Sequence, residues 1–342
     1  MSILYSLART QEMSRIGRRG YHCMQKLYTE KISRDSLDTA QHRVIDASLT
    51  LIRERAKLKG ELVRALGGAT ATSTLLGVPL GHNSSFLQGR PFASPFSKEA
   101  ICCGCSNLTE EGKDLHDVRV LTDVGDVLIQ AIRECGVDDD RMMNVVTESV
   151  KIVMEQRPLR PLVLGGDHSV SYPVVRAVSE KLGGPVDILH LDAHPDHYSR
   201  FPSFARIKKE GYAGRIVQVG VRSKPSEGRE QGHVFVVDQC DMRTISRDCL
   251  VLELLKLGMG IGVKGLYVAI DVDCLHPAFA PGVCRDESGG LSFQDVLNIL
   301  QNLQGDIVGG DVVEYNPQHD TASGNAMVTA KVVKELAARM SK

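Results

Sequence analysis

Several apolar runs in this 342-residue chain end in side chains that are costly to bury. The stretch LDAHPDHYSRFPSFARI, residues 191–207, places Asp192, His194 and Asp196 in strict alternation straight after VDILHL. GLYVAIDVD closes on Asp271 and Asp273, PLVLGGDHS on Asp167 and His168, and DIVGGDVVE on Glu314. A carboxylate or imidazole at the end of a buried strand must be paired, hydrogen-bonded or bound to a metal. Carboxylates dominate these motifs and no Lys or Arg lies within GGDHS, DAHPD, AIDVD or DVVE, so cations are the natural partner.

On extended backbone, side chains at i and i+2 point to one side, which groups Asp192, His194 and Asp196, and likewise Asp271 with Asp273. Together with His168 they offer four carboxylates and two imidazoles. That set is too large for one tetrahedral zinc and suits two metals sharing bridging carboxylates, with oxygen-dominated ligands favouring Mn²⁺. Two such ions about 3.5–4 Å apart can hold a water and bring its pKa to near 7, giving a hydroxide aimed at an electrophilic carbon. A single D-x-D or H-x-D is most often a satisfied loop carboxylate. Three motifs, each closing a buried run of one regular chain, are not explained that way.

The elements that must position these groups follow from periodicity. STLLGVPLG, PLVLGGDHS, VDILHLDAH, RIVQVGVRS, GLYVAIDVD and DIVGGDVVE read as buried strands of a parallel sheet. Helical stretches lie between them, among them RMMNVVTESVKIVMEQ, SYPVVRAVSEKL, SFQDVLNILQNL and AMVTAKVVKELAARM. A first helix, from about Thr39, carries Val44, Ile45, Leu49, Ile52, Leu62 and Leu66 at helical spacing and stops at Gly67-Gly68. Alternating strand and helix predict βαβ units with helices on both faces of the sheet, and ligands in such sheets bind beyond the carboxyl ends of the strands.

Forty-one Lys and Arg against 42 Asp and Glu leave no bulk field to attract nucleic acid or a membrane surface, and no apolar run approaches membrane-spanning length. Residues 1–34 are the exception, with seven basic side chains against Glu12 and Glu30 and interleaved Ser and Leu. That composition marks residues 1–36 as an organelle transit peptide or a disordered basic tail, leaving 37–342 as one folded domain. Nine cysteines in no regular spacing argue against a disulfide framework. The cluster Cys102, Cys103 and Cys105 lacks the partners to complete a tetrahedral zinc set, and reads as free thiols.

GGDHS, DAHPD and AIDVDCLHPAFAPG together resemble the signatures of the arginase/agmatinase (ureohydrolase) family, and VLTDVGDV, PLGHNSSFLQG and DVVEYNP extend the likeness from about residue 40 to the end. The match is nearest to plant mitochondrial arginases, which implies a mitochondrial, matrix location. It further implies a three-layer α/β/α sandwich around an eight-stranded parallel sheet, in a homo-oligomer that is a trimer or hexamer. By the resemblance, His168, Asp192, Asp196 and Asp271 hold one Mn²⁺; His194, Asp192, Asp271 and Asp273 hold the other. Glu314 binds the substrate guanidinium, Asn83 and Ser199 contact the substrate, and Asp196 or Asp273 manages the proton. The implied reaction is hydrolysis of L-arginine to L-ornithine and urea by the hydroxide between the metals.

The chain departs from the family pattern after Asp196. Only His197 separates it from Tyr198-Ser199-Arg200, a loop several residues short, with Arg200 where the family histidine stands. Arginine does not give up its proton near neutral pH and so cannot act as a general acid or base. His276 replaces an aspartate before the proline of the third motif, and CRDESGG is unusually charged. These departures keep two alternatives open: hydrolysis of agmatine or another guanidino compound, and a metal-binding subunit with impaired turnover.

Overall fold

The computed structural model describes residues 34–81, 101, 109, 112–194, 203–222, 234–238, 254, 256–283, 288–320 and 324–342. Residues 1–33 of the basic N-terminal segment, Asn83, the cysteine cluster at 102–105 and the whole stretch 195–202, with Asp196, His197, Ser199 and Arg200, lie outside them.

The described elements run in the order α1 (Arg34–Leu66), β1 (Thr72–Val78), β2 (Leu121–Asp126), α2 (Ile129–Glu134), α3 (Asp139–Glu155), β3 (Leu159–Gly165), α4 (Ser171–Leu182), β4 (Val186–Leu191), α5 (Ser203–Lys209), β5 (Ala213–Val221), β6 (Val234–Asp238), β7 (Leu266–Asp271), α6 (Phe293–Asn302), β8 (Ile307–Val313) and α7 (Gly324–Met340). All eight strands pair in parallel in the order β2-β1-β3-β8-β7-β4-β5-β6. The α/β architecture and the eight-stranded parallel sheet agree with expectation, and each of the six apolar runs is a strand. The two strands not expected from the runs, β2 and β6, are the edges of the sheet.

Strands β1, β4, β7 and β8 are buried along their whole length, because helices cover both faces. On one face Leu189, Val217, Val268 and Val312 pack against Val296 and Leu300 of α6 and Val333 and Leu336 of α7. On the other, Ile188, Ile216, Val163 and Tyr267 meet Ile52 of α1, Val146 and Val153 of α3, Val174 and Val178 of α4, and Phe204 of α5.

Local signals place the helix ends. Asp138 accepts from the Arg141 N–H at 2.8 Å to start α3, and Ser292 with Asp295 forms a capping box on α6. Gly183 takes the left-handed conformation that ends α4. In α1 the buried stripe runs through Ile52, Ala56 and Val63, while Leu62 and Leu66 are exposed. A regular helix rotates its stripe away from a simple i, i+4 reading over so many turns.

Candidate metal centre

The four strands that end in the motif residues are neighbours in the middle of the sheet, β3-β8-β7-β4. Their carboxyl ends therefore converge on one place, the region where ligands of open parallel sheets bind.

A common local device turns the chain there. The first aspartate of each motif accepts a hydrogen bond from the backbone N–H two residues on. Asp167 Oδ1 accepts from Ser169 at 3.0 Å, Asp192 Oδ1 from His194 at 2.6 Å and Asp271 Oδ1 from Asp273 at 2.7 Å. Such turns compete with extended backbone. The premise that Asp192 and His194, or Asp271 and Asp273, continue an extended strand is thus corrected: β4 ends at Leu191, and a short 3-10 turn, Val272–Cys274, follows Asp271. The spacing matters because it builds the turn that aims the next side chain into the centre.

Within that centre His168 Nδ1 lies 3.0 Å from Asp192 Oδ2 and 3.3 Å from Asp271 Oδ2. His194 Nδ1 lies 2.8 Å from Asp273 Oδ2 and 3.5 Å from Asp192 Oδ1. All five side chains are buried, Asp192 completely. Asp273 Oδ1 also accepts from the Ala193 N–H at 3.0 Å, locking the β4 and β7 turns together. Five of the six expected metal-ligating residues are therefore in one cluster, and Asp196 lies outside the described residues.

Electrostatics describes what this cluster needs. Burial, then the charges of Asp273 and Asp192, push Asp271 well above the usual carboxylate range. Burial and the Asp192 charge likewise raise Asp273. Asp192 is held low despite its burial by hydrogen bonds with His168, His190 and His194. Burial works against a charged His194, but its bonds to Asp192 and Asp273 outweigh that and raise it to about 11. Crowded carboxylates that recruit protons in this way lack positive charge. Asp192, His194 and Asp273 offer ligand atoms within 4.8 Å of one another, so this donor set fits a divalent cation.

Glu314 sits beside the cluster with a left-handed φ of 63°, the one positive-φ residue other than glycine among the described residues. Its N–H donates to Gly166 O at 2.7 Å and its Oε1 accepts from the His168 N–H at 3.0 Å. These two bonds hold the residue in a backbone conformation that is uncommon for a side chain with a Cβ. Burial and the neighbouring Asp167 charge push its carboxyl up to about 8. His276, by contrast, is exposed; its Nδ1 accepts from the Ala278 N–H at 3.0 Å and its ring meets the edge of Phe279.

Three contributors were missed in the sequence. Arg222 at the end of β5 donates to Asp273 O at 2.8 Å and Cys274 O at 3.0 Å, clamping the β7 turn. His190 and Gln218 stand behind Asp192. His190 was legible as a polar residue inside the apolar run VDILHL, two residues before Asp192; the other two depend on long-range contacts.

The family model for the Arginase family matches residues 71–338. "Arginase 1, mitochondrial" of Arabidopsis thaliana is 67% identical over 96% of this chain and 100% of the relative. "Arginase" of Glycine max is 62% identical over the full length of both. The solved structure of arginase from Medicago truncatula superposes with a TM-score of 0.86 at 63% identity, covering 91% of this chain and 100% of that one. With a matching family model and relatives this similar along its length, the chain belongs to the arginase family.

Proposed function

We propose that this centre hydrolyses the guanidino group of L-arginine, giving L-ornithine and urea. The observation that carries the proposal is the convergence of His168, Asp192, His194, Asp271 and Asp273 beside the anchored carboxylate of Glu314. The names of the plant relatives, all arginases, support the same substrate. His168, Asp192, Asp196 and Asp271 would hold one Mn²⁺, and His194, Asp192, Asp271 and Asp273 a second.

When bound, the cations supply Lewis-acid activation of a water nucleophile at neutral pH. Glu314 accepts the N–H groups of the planar guanidinium in a two-pronged pair, which fixes its carbon over the centre and keeps the carboxylate ionised. Asp273 and Asp196 are the carboxylates assigned to hold and return the proton. Water adds to the guanidinium carbon, the bond from that carbon to the side-chain nitrogen breaks, and the nitrogen leaves as the protonated amine of ornithine. Asn83 and Ser199 are assigned contacts with the substrate.

The relatives' names and the basic composition of residues 1–34 support import into mitochondria, and we assign the protein to the matrix. A homo-oligomer, trimer or hexamer, is the assembly proposed.

A second reading, preference for agmatine, rests on the short loop after Asp196 with its Arg200. Urea release by Mn-loaded protein from L-arginine and agmatine in parallel decides between them. Arginine turnover that vanishes in a variant with both Asp271→Asn and Asp273→Asn supports the first reading. Faster turnover of agmatine supports the second. No urea from either substrate, with metal bound, leaves a metal-binding subunit without turnover.

A further inference from the structure

Behind the metal-facing side of Asp192 runs a chain of three buried polar side chains that crosses two strands. His190 and Gln218 are register partners of the parallel pair β4 and β5, so they stand side by side. Asp192 follows directly on Leu191, the last residue of β4, and its side chain meets that of His190. Gln218 Nε2 lies 2.8 Å from His190 Nδ1, and His190 Nε2 lies 2.8 Å from Asp192 Oδ2. None of the three is exposed. Leu189, Leu191, Val217 and Val219, alternating with them, face the opposite side of the sheet in the ordinary apolar layer.

A carboxylate only accepts, so His190 donates from Nε2 to Asp192 Oδ2, and the Gln218 side-chain amide faces the other ring nitrogen, Nδ1. The ring lies flat on Phe204 of α5, centroids 3.9 Å apart at 22°. Asp192 Oδ1 is held by the His194 N–H and Oδ2 by His190, so the protein grips both oxygens of one carboxylate.

We infer that His190, oriented by Gln218 and stacked on Phe204, is a positioning residue that presents Asp192 to the metals and is not itself a ligand. Both ring nitrogens of His190 are engaged within the protein, Nε2 with Asp192 Oδ2 and Nδ1 with the Gln218 amide, so neither is open to a metal. Burying an imidazole where the surrounding sheet is apolar costs stability unless it is satisfied, and the chain gives each ring nitrogen a partner, Asp192 on one side and Gln218 on the other. Groups of this kind set ligand orientation, and losing one typically costs about 10–100-fold in metal affinity. The inference rests on the proposal that Asp192 is a ligand.

Titration calorimetry with Mn²⁺, together with metal analysis after dialysis, tests it on the full chain. His190→Phe keeps a ring over Phe204 but removes the donor; His190→Gln returns an N–H near the Nε2 position. The expected result is unchanged stoichiometry in both, affinity lowered about 10–100-fold in His190→Phe, and recovery to within a few-fold in His190→Gln. Loss of bound metal in both variants would make His190 a ligand and overturn the inference. Wild-type affinity in His190→Phe would make it a packing residue and overturn it as well. Gln218→Leu, which leaves His190 in place, is expected to weaken Mn²⁺ binding by a smaller factor in the same direction, and serves if His190→Phe does not fold. Asp192→Asn is the control: if it binds Mn²⁺ as the wild type does, the metal-site proposal itself fails, whatever the His190 variants do.

Discussion

His168 Nδ1 and Asp192 Oδ2 lie 3.0 Å apart, although β3 and β4 are separated by two intervening strands. At about 4.8 Å per strand the two are roughly 14 Å apart across the sheet. The contact is therefore made by the segments beyond the strands, which the aspartate-capped turns fold inward over β8 and β7.

That geometry makes metal binding a stability term. A ligand bound by the folded state alone stabilises it by about 4 kcal/mol when present at a thousand times its dissociation constant. Adding Mn²⁺ to metal-stripped protein is expected to raise Tm. Asp271→Asn, which removes a carboxylate between His168 and the rest of the cluster, is expected to abolish most of that rise in a thermal melt.

Glu314 is expected to affect substrate and not metal. Its carboxylate is bonded to the protein through the His168 N–H. Hydrogen bonds to charged groups contribute about 1.5–3 kcal/mol. Glu314→Gln should therefore lower kcat/KM for L-arginine by roughly 10- to 150-fold, with metal content unchanged by elemental analysis. A fall in bound metal matching the fall in activity would contradict the assigned role.

The approach of two backbones at the end of β3 leaves no room for a side chain at Gly166. A Cβ there would meet Leu80 O at 1.9 Å, a contact with backbone that no rotamer change relieves. Asp167 N–H donates to the same carbonyl at 2.7 Å, so relief would also displace the His168 turn. Gly166→Ala is expected to cost about 1–3 kcal/mol or more in chemical denaturation and to weaken Mn²⁺ binding together with it.

Acid stability has an identifiable contributor far from the centre. Burial acts to raise the Glu180 carboxyl, but hydrogen bonds from Arg176 and Lys151 outweigh it and hold it at about 2, below its ordinary 4.5. A depressed folded-state value means that its stabilisation is complete above pH 4.5 and is lost as pH falls toward 2. Glu180→Gln is expected to flatten the acid limb of the stability curve in that window and to lower stability at neutral pH. Because both ion pairs are partly open to solvent and screened by it, the change should be small.

The sequence by itself determined the strands β1, β3, β4, β5, β7 and β8, because a strand covered on both faces must be an almost unbroken apolar run. It also determined the helices α3, α4, α6 and α7, and it named the polar groups at the strand ends, since helical periodicity and burial cost are local chemistry. The edge strands escaped it: β2 alternates buried and half-buried positions, and β6 spans only five residues. The order β3-β8-β7-β4, which sets four motif-bearing strands side by side, was decided only in three dimensions. So were the left-handed backbone of Glu314, the Arg222 clamp and the pairing of His190 with Gln218. Each of these is a relation between distant segments. The energy of such a pairing depends on which strands become neighbours, and no local stretch of residues contains that information.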